Sequence, residues 1–171
     1  MSDVRVRRAL PHEAQAVSAL FEETTRWLLG RGIRQWTLRW RTATWCLEGI
    51  KRGELYVMLD GGGIVATFLL APNDVAFGER PADALYLQGL CVRRTASGRQ
   101  LGERIVAWCE EQTRQAARDC LRLDCVSDNA FLNGYYQRLS FTAIGTYVYD
   151  LPQGPLPCTL YEKPVSAGPV R

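Results

Sequence analysis

Val92-Arg93-Arg94-Thr95-Ala96-Ser97-Gly98-Arg99-Gln100-Leu101-Gly102 joins two segments of different periodicity. Before it, Leu85 to Val92 is a continuous apolar run that reads as a buried strand, interrupted by Gly89, where a bulge or a close backbone approach is expected. After it, Gln100 to Ala117 places Leu101, Ile105, Trp108, Cys109 and Ala116 at helical spacing. The stretch is therefore a strand-to-helix turn. Gly98 can supply a positive φ there, and Gly102 lets the first helical turn lie close to a ligand. Free N–H groups and the helix dipole favour a bound anion at such a point, and Arg93, Arg94 and Arg99 add positive charge. A pyrophosphate is the natural ligand. A plain connection with solvated arginines is the other reading of these residues alone.

Working outward, Val4 to Leu10 alternates as a strand, and Pro11-His12-Glu13 opens a helix that ends at Gly30 and Gly32. A second helix is expected over Arg39 to Lys51. Leu55 to Leu59 and Ile64 to Ala71 form a hairpin around Asp60-Gly61-Gly62-Gly63, whose residues tolerate positive φ. Asn73 to Asp83 is a loop containing Pro81. Beyond the long helix come a strand at Leu121 to Val126, a helix at Asn129 to Leu139, a strand at Phe141 to Tyr149, a loop at Pro152 to Pro157 and a last strand at Thr159 to Lys163. This alternation implies an α/β fold with a mixed sheet, parallel where helices cross over and antiparallel at the hairpin. Residues 1–165 read as a single domain and 166–171 as a flexible tail.

Composition narrows the function. With 171 residues, 47% hydrophobic and 23% charged, the chain is long and apolar enough for an ordinary core, which excludes disorder, coiled coil and collagen. No apolar run reaches the roughly 18 residues of a membrane span, and the N-terminus lacks a secretory apolar block, so no membrane partner and a cytoplasmic location are expected. A net charge of +3 is too small to argue for nucleic acid as a partner. The six cysteines form no CxxC pair, and His12 is the only histidine. A Cys/His zinc site and a histidine-dependent hydrolase are thereby set aside, and no metal is expected.

Strand, V-R-R-x-x-x-G-R-x-L-G, helix resembles the CoA-pyrophosphate motif of the GNAT superfamily of acyl-CoA-dependent N-acyltransferases. Downstream, Asn129-Ala130-Phe131-Leu132-Asn133-Gly134-Tyr135-Tyr136-Gln137-Arg138-Leu139-Ser140-Phe141 resembles that family's second signature. The two occur in the family's order and spacing, and the element order extends the resemblance over nearly the whole chain. There are departures: the family often has Arg or Gln where Ser97 stands, and Gly where Gln100 and Ser140 stand.

The resemblance implies a GNAT-like domain whose mostly antiparallel sheet contains a splayed parallel strand pair, with acetyl-CoA as acyl donor. Ser97, Gly98, Arg99, Gln100, Leu101 and Gly102 would hold its pyrophosphate, and the backbones of Leu90 and Val92 its pantetheine arm. An N–H near Leu90 or Cys91 would polarise the thioester carbonyl. Asn129 would cap its helix and bond the pantetheine, and Tyr136 would protonate the departing CoA thiolate through a direct-attack mechanism. Where many members carry a strand glutamate, this chain has Gln88. Glu22, Glu23, Asp124 or a water chain are the candidates for the base.

The acceptor would be a small-molecule amine recognised near the segment between the first two helices, with Glu22, Trp36, Gln88 and Asp124 among its neighbours. Residues 26 to 52 hold Arg26, Arg31, Arg34, Arg39, Arg41, Lys51 and Arg52 against one acid, Glu48. They read either as a pocket for an amine that also carries an anionic group or as a solvated basic face. An inactive acyl-CoA-binding protein and an enzyme acting on protein or peptide amines are the alternative functions. Small members of that family often form dimers, so a homodimer is among the assemblies expected.

Overall fold

The computed structural model describes residues 4–38, 40–80 and 83–165. Arg39, Pro81 and the expected tail at 166–171 lie outside the described residues. In chain order the elements are β1 (Arg5–Arg8), α1 (Ala14–Gly30), α2 (Ala43–Lys51), β2 (Leu55–Asp60), β3 (Gly63–Ala71), β4 (Ala84–Val92), α3 (Leu101–Gln115), β5 (Cys120–Val126), α4 (Ala130–Arg138), β6 (Thr142–Leu151) and β7 (Gly154–Pro164). Among the described residues the strands make one sheet in the order β1-β2-β3-β4-β5-β7-β6. The β1/β2, β2/β3, β5/β7 and β6/β7 pairs are antiparallel, and β4/β5 is parallel. This is the mixed, mostly antiparallel α/β sheet that the sequence implies. The parallel register covers Ala84–Tyr86 against Cys120–Arg122, although both strands run further.

The chain packs as two compact units, one within Met1–Leu70 and Gly89–Ile105, the other within Ala71–Gln88 and Val106–Arg171. In the first, α1 lays Val17, Leu20 and Phe21 against Leu55, Val57 and Leu69 of the β2/β3 hairpin, with Cys46 and Cys91 filling the remaining space. The turn of that hairpin has Gly61 and Gly62 at φ 56° and 86°, the positive-φ pair expected from the sequence. In the second unit, Phe77, Tyr86, Cys120 and Leu160 form one cluster, and Val126, Leu151, Leu156 and Cys158 form another.

All four helices end alike. After α1, Ile33 N donates to Leu28 O and Gly32 N to Leu29 O. After α2, the pairs are Glu54 N to Gly49 O and Gly53 N to Ile50 O. After α3 they are Arg118 N to Thr113 O and Ala117 N to Arg114 O, and after α4 Phe141 N to Tyr136 O and Ser140 N to Gln137 O. These are Schellman closures, which require one residue in the left-handed region. Glycine fills it twice, but Ala117 (φ 54°) and Ser140 (φ 68°) fill it in the other two. Left-handed backbone costs an L-residue about 1–2 kcal/mol, partly offset by the extra freedom glycine has when unfolded. Ser140→Gly is thus expected to stabilise the protein by about 0.5–1 kcal/mol. Denaturant unfolding checks this; an unchanged or lower midpoint would contradict it.

Several boundaries differ from the sequence reading. β1 stops at Arg8 because Glu13 takes over the chain beyond it, accepting from Leu10 N (2.8 Å) and from Arg7 Nη1 and Nη2 (2.8 and 2.7 Å). The Arg7 guanidinium also holds the Glu13 carboxyl below its ordinary value. α2 begins at Ala43 rather than Arg39, since Thr42 is extended and its Oγ1 accepts from Trp45 N at 3.2 Å, which makes it the N-cap. β7 starts at Gly154, inside the expected Pro152–Pro157 loop. Pro155 and Pro157 sit opposite Asp150 and Val148 of β6, while β5 ends at Val126 opposite Cys158. Past that point their missing N–H groups face a side with no strand to bond.

Candidate active-site residues

The first unit contains the strand-to-helix turn. Leu90 and Val92 are half-buried on β4, while Cys91 between them is 2% exposed and packs inward. Its Sγ lies 3.0 Å from Thr24 Oγ1, and burial pushes the thiol up to about 11. A thiol so placed is protonated at neutral pH and is no nucleophile. Gly89 has φ 59°, so β4 breaks its regular path just ahead of Leu90, at the residue the sequence singled out. A β-carbon at Gly89 would lie 3.5 Å from the Leu69 Cδ1 and Arg41 Nε side-chain atoms, an ordinary contact, so the backbone conformation rather than a close approach calls for glycine here.

Beyond Val92, a 3-10 turn over Arg94–Ala96 leads into Ser97, Gly98, Arg99 and Gln100, all exposed, before α3 begins at Leu101. Leu101 is 2% exposed and anchors the helix start, and Gly102 follows half-buried. Gly98 and Gln100 lie at φ 78° and 55°. Left-handed residues at a helix start give the concave run of N–H groups that takes up anions. Gln100 adopts this conformation without being glycine, and nothing lies within 4 Å of a β-carbon built on Gly98.

The arginines of the turn are anchored rather than free. Arg93 Nε donates to Ile64 O at 3.1 Å, and its Nη1 pairs with Glu23 Oε2 at 3.2 Å. Arg94 lies 3.7 Å from the Trp27 ring centroid, and Arg99 Nη2 is 2.7 Å from Asp60 Oδ2. Glu22 is likewise tied, accepting from Arg26 Nη2 at 2.7 Å. Both α1 glutamates are therefore exposed carboxylates paired with arginines. Trp36 is part of the core edge, its ring 5.7 Å from that of Phe21 in an edge-to-face contact.

The second unit holds the other residues. Asn129 caps α4, its Oδ1 accepting from Leu132 N at 3.1 Å. Tyr136 is 7% exposed, with the rings of Tyr135, Phe141 and Tyr161 at 5.2, 5.8 and 6.3 Å. The α4 closure places Phe141 against Tyr136, so the helix end itself fixes that ring. Burial pushes the Tyr136 phenol well above its ordinary value, which keeps it neutral and proton-bearing. Gln88 Nε2 donates to Asp74 Oδ2 at 2.8 Å, while Asp74 Oδ1 accepts from Ala76 N at 2.9 Å.

Asp124 on β5 is half-buried between the buried Leu123 and Cys125. Burial, with the Asp74 charge adding to it, pushes its carboxyl up to about 6, against hydrogen bonds from Tyr149 and Cys158 that favour the charged form. A carboxyl titrating near neutrality suits proton transfer. Asp74 and Tyr149 escaped sequence reasoning. Asp74 carried a signal, an Asx cap before Val75-Ala76-Phe77, but that signal speaks of a turn rather than of a partner for β5.

Among the described residues no group of three or more His, Cys, Asp or Glu could hold a metal ion, and no helix is long and apolar enough to cross a membrane. The uncharacterized N-acetyltransferase YesJ of Bacillus subtilis (strain 168) is 27% identical over 145 residues, which cover 80% of this chain and 81% of YesJ. An acetyltransferase of the GNAT family from Listeria monocytogenes 4b F2365 superposes with a TM-score of 0.77 at 24% identity, covering 94% of each chain. The structure of yncA from Salmonella typhimurium with its cofactor acetyl-CoA superposes with a TM-score of 0.71 at 14% identity, over 98% of this chain and 96% of that one. Residues 17–141 match the acetyltransferase (GNAT) family, most of the chain and both signature segments, so this chain belongs to that family and is an acyltransferase.

Proposed function

We propose that the chain is an N-acetyltransferase that moves the acetyl group of acetyl-CoA to the primary amine of a small molecule by direct attack. The observation that carries this reading is the exposed turn Ser97–Gln100, with its left-handed Gly98 and Gln100 at the start of α3. It fits a pyrophosphate through backbone N–H groups, and Arg99 adds charge beside them although it also pairs with Asp60. Leu90 and Val92 offer main-chain groups to a pantetheine arm. An N–H near Leu90 or Cys91 donates to the thioester carbonyl oxygen as negative charge grows on it. The Asn129 side chain adds a polar contact for the arm. Tyr136 passes its hydroxyl proton to the departing sulfur.

Asp124 is assigned as the base that takes the proton from the attacking nitrogen, directly or through water. Its raised affinity for protons serves that step. The same property sets a pH signature. Between about pH 4 and pH 6 the folded state binds more protons at this site than the unfolded chain, so its contribution makes stability fall as pH rises. Facing Asp124 are Asp74, Tyr149 and Cys158, and none of them supplies a compensating positive charge. Asp124→Asn is therefore expected to match the wild type near pH 4 and exceed it by about 3 kcal/mol above pH 6.5. Its kcat/KM should fall about 10²-fold and lose the acidic limb near pH 6. Thermal melts and pH–rate profiles check both; a wild-type limb that survives in the variant removes Asp124 from the mechanism.

The function itself is tested by release of free CoA thiol from acetyl-CoA with a panel of primary amines, followed by mass detection of the acetylated product. Amine-dependent release supports the proposal. Binding of acetyl-CoA without release for any amine would make the chain an acyl-CoA-binding protein instead.

A further inference from the structure

An amide at position 88, in place of a carboxylate, has a partner of its own. The parallel register sets Tyr86 of β4 beside Arg122 of β5, and Arg122 Nη1 donates to Tyr86 OH at 3.0 Å. Those two side chains therefore share one face of the sheet. Side chains two residues further on return to that face, which places Gln88 and Asp124 on it at the same level of their strands. Gln88 Nε2 donates to Asp74 Oδ2 at 2.8 Å and lies 3.5 Å from Asn73 O. Both neighbours are acceptors, so the amide nitrogen is the end that belongs there.

Asp74 is held from its other side as well. Its Oδ1 accepts from Ala76 N at 2.9 Å and caps the 3-10 turn over Val75–Phe77. Phe77 anchors that turn, 3% exposed with its ring 5.1 Å from that of Tyr86. Each oxygen of the Asp74 carboxylate thus meets an uncharged N–H donor, which fixes its position without cancelling its charge. A glutamate at position 88 would have no proton to offer at neutral pH and would crowd the face with another carboxylate.

The titratable groups that act on Asp124 or feel its charge are Asp74 from this turn, Tyr149 from β6, Cys158 from β7 and Tyr136 from α4. Burial keeps Tyr149, Cys158 and Tyr136 protonated, and the first two hydrogen-bond the Asp124 carboxyl. On β5 itself, Arg122 bonds to Glu162 and Tyr86. Asp74 is the anion of the set. A like charge held nearby in partly buried surroundings makes a carboxylate give up its proton less readily.

Resting on the assignment of Asp124 as the base, we propose that Asp74 and Gln88 are its positioning residues: Gln88 pins the Asp74 carboxylate, and that fixed charge makes Asp124 a stronger base for the attacking amine. The nitrogen forms its bond to the acyl carbon and loses its proton to Asp124, while Asp74 stays ionised throughout. The base has moved from β4 to the neighbouring strand, and residue 88 serves it as a donor.

The test is the pH dependence of kcat/KM for wild type, D74N, Q88M and D124N with a primary amine that the wild type turns over. D74N keeps the acceptor oxygen for the cap and removes the charge. Its acidic limb is expected about 0.5–1 pH unit below the wild-type limb near 6, with kcat two- to fivefold lower and acceptor KM within about twofold. Q88M has a similar length without a donor, so it releases the carboxylate and should move the limb the same way by less. A purely structural role would lower Tm or activity and leave the limb in place. The carbon-13 carboxyl resonance of Asp124, assigned by its loss in D124N, reads the same titration without turnover. A limb and a resonance that D74N leaves at the wild-type pH overturn the proposal. A limb that survives in D124N overturns instead the assignment of the base on which it rests.

Discussion

Replacing Tyr136 with phenylalanine is expected to lower kcat by about 10²–10³-fold while acetyl-CoA affinity stays within about twofold. The variant keeps the ring and therefore the contacts with Tyr135, Phe141 and Tyr161, so the 7%-exposed pocket around it stays filled. What is lost is one proton donor. That donor is neutral at every pH at which the enzyme would be assayed, because burial raises the phenol. The same apolar surroundings raise thiols: Cys125 is pushed up to about 12. A thiolate leaving into such a setting is a stronger base than in water, and the phenol, itself raised by the same burial, keeps its proton until that base forms beside it. Without the hydroxyl, sulfur must leave as an anion or wait for water. Pre-steady-state release of CoA thiol measures this, and a change of less than twofold would remove Tyr136 from the mechanism.

Arg122→Ala is expected to be the most destabilising of the substitutions considered, by about 3 kcal/mol, lowering Tm by roughly 6–12 °C. Arg122 is 2% exposed on β5. Its Nε and Nη2 each lie 2.8 Å from Glu162 Oε2 on β7, and Nη1 donates to Tyr86 OH at 3.0 Å. Phe77 and Tyr86 place their rings 5.8 and 5.9 Å from the guanidinium carbon. Truncation leaves a cavity, a carboxylate without its partner and a buried phenol without its acceptor-side contact. Removing both charges together, in an R122M/E162L double variant, should recover most of the loss, since the desolvated pair is worth far less than either of its orphaned members. Thermal melts of the single and double variants check this. A single variant within 2 °C of the wild type would mean that the pair does not hold β5 to β7.

Much of the fold was legible where local chemistry decides it. Asp60-Gly61-Gly62-Gly63 admits little besides a tight hairpin, and Gly89 inside an apolar run pointed to a break that the φ of 59° bears out. Asn129 declared its cap. Other features depend on neighbours that are distant in sequence. Pro155 and Pro157 look like loop residues until the early end of β5 makes their missing donors harmless. Phe77 lies in a stretch whose sequence reads as a loop, yet it is 3% exposed beneath Tyr86 and Arg122. Gln88 stands in the sequence where many members carry a glutamate, and its bond to Asp74 depends on a fold that brings residues 74 and 88 together. In sequence Asp124 is one base candidate among several, and what separates it from Glu22 and Glu23 is burial beside Asp74, Tyr149 and Cys158. The basic run hid a similar distinction, because one sequence pattern contains both surface pairs and the ring-enclosed Arg41.

The central claim is that this acyltransferase takes its acyl group from acetyl-CoA held at the Ser97–Gly102 turn. Calorimetric titration of the purified protein with acetyl-CoA tests it most directly, repeated on Gly98→Val, in which a β-branched residue replaces glycine at φ 78°. Saturable binding of one acetyl-CoA per chain by the wild type, weakened at least tenfold in a folded G98V, is the predicted result. Absence of binding to the wild type at millimolar acetyl-CoA, or equal affinity in the two proteins, would contradict it.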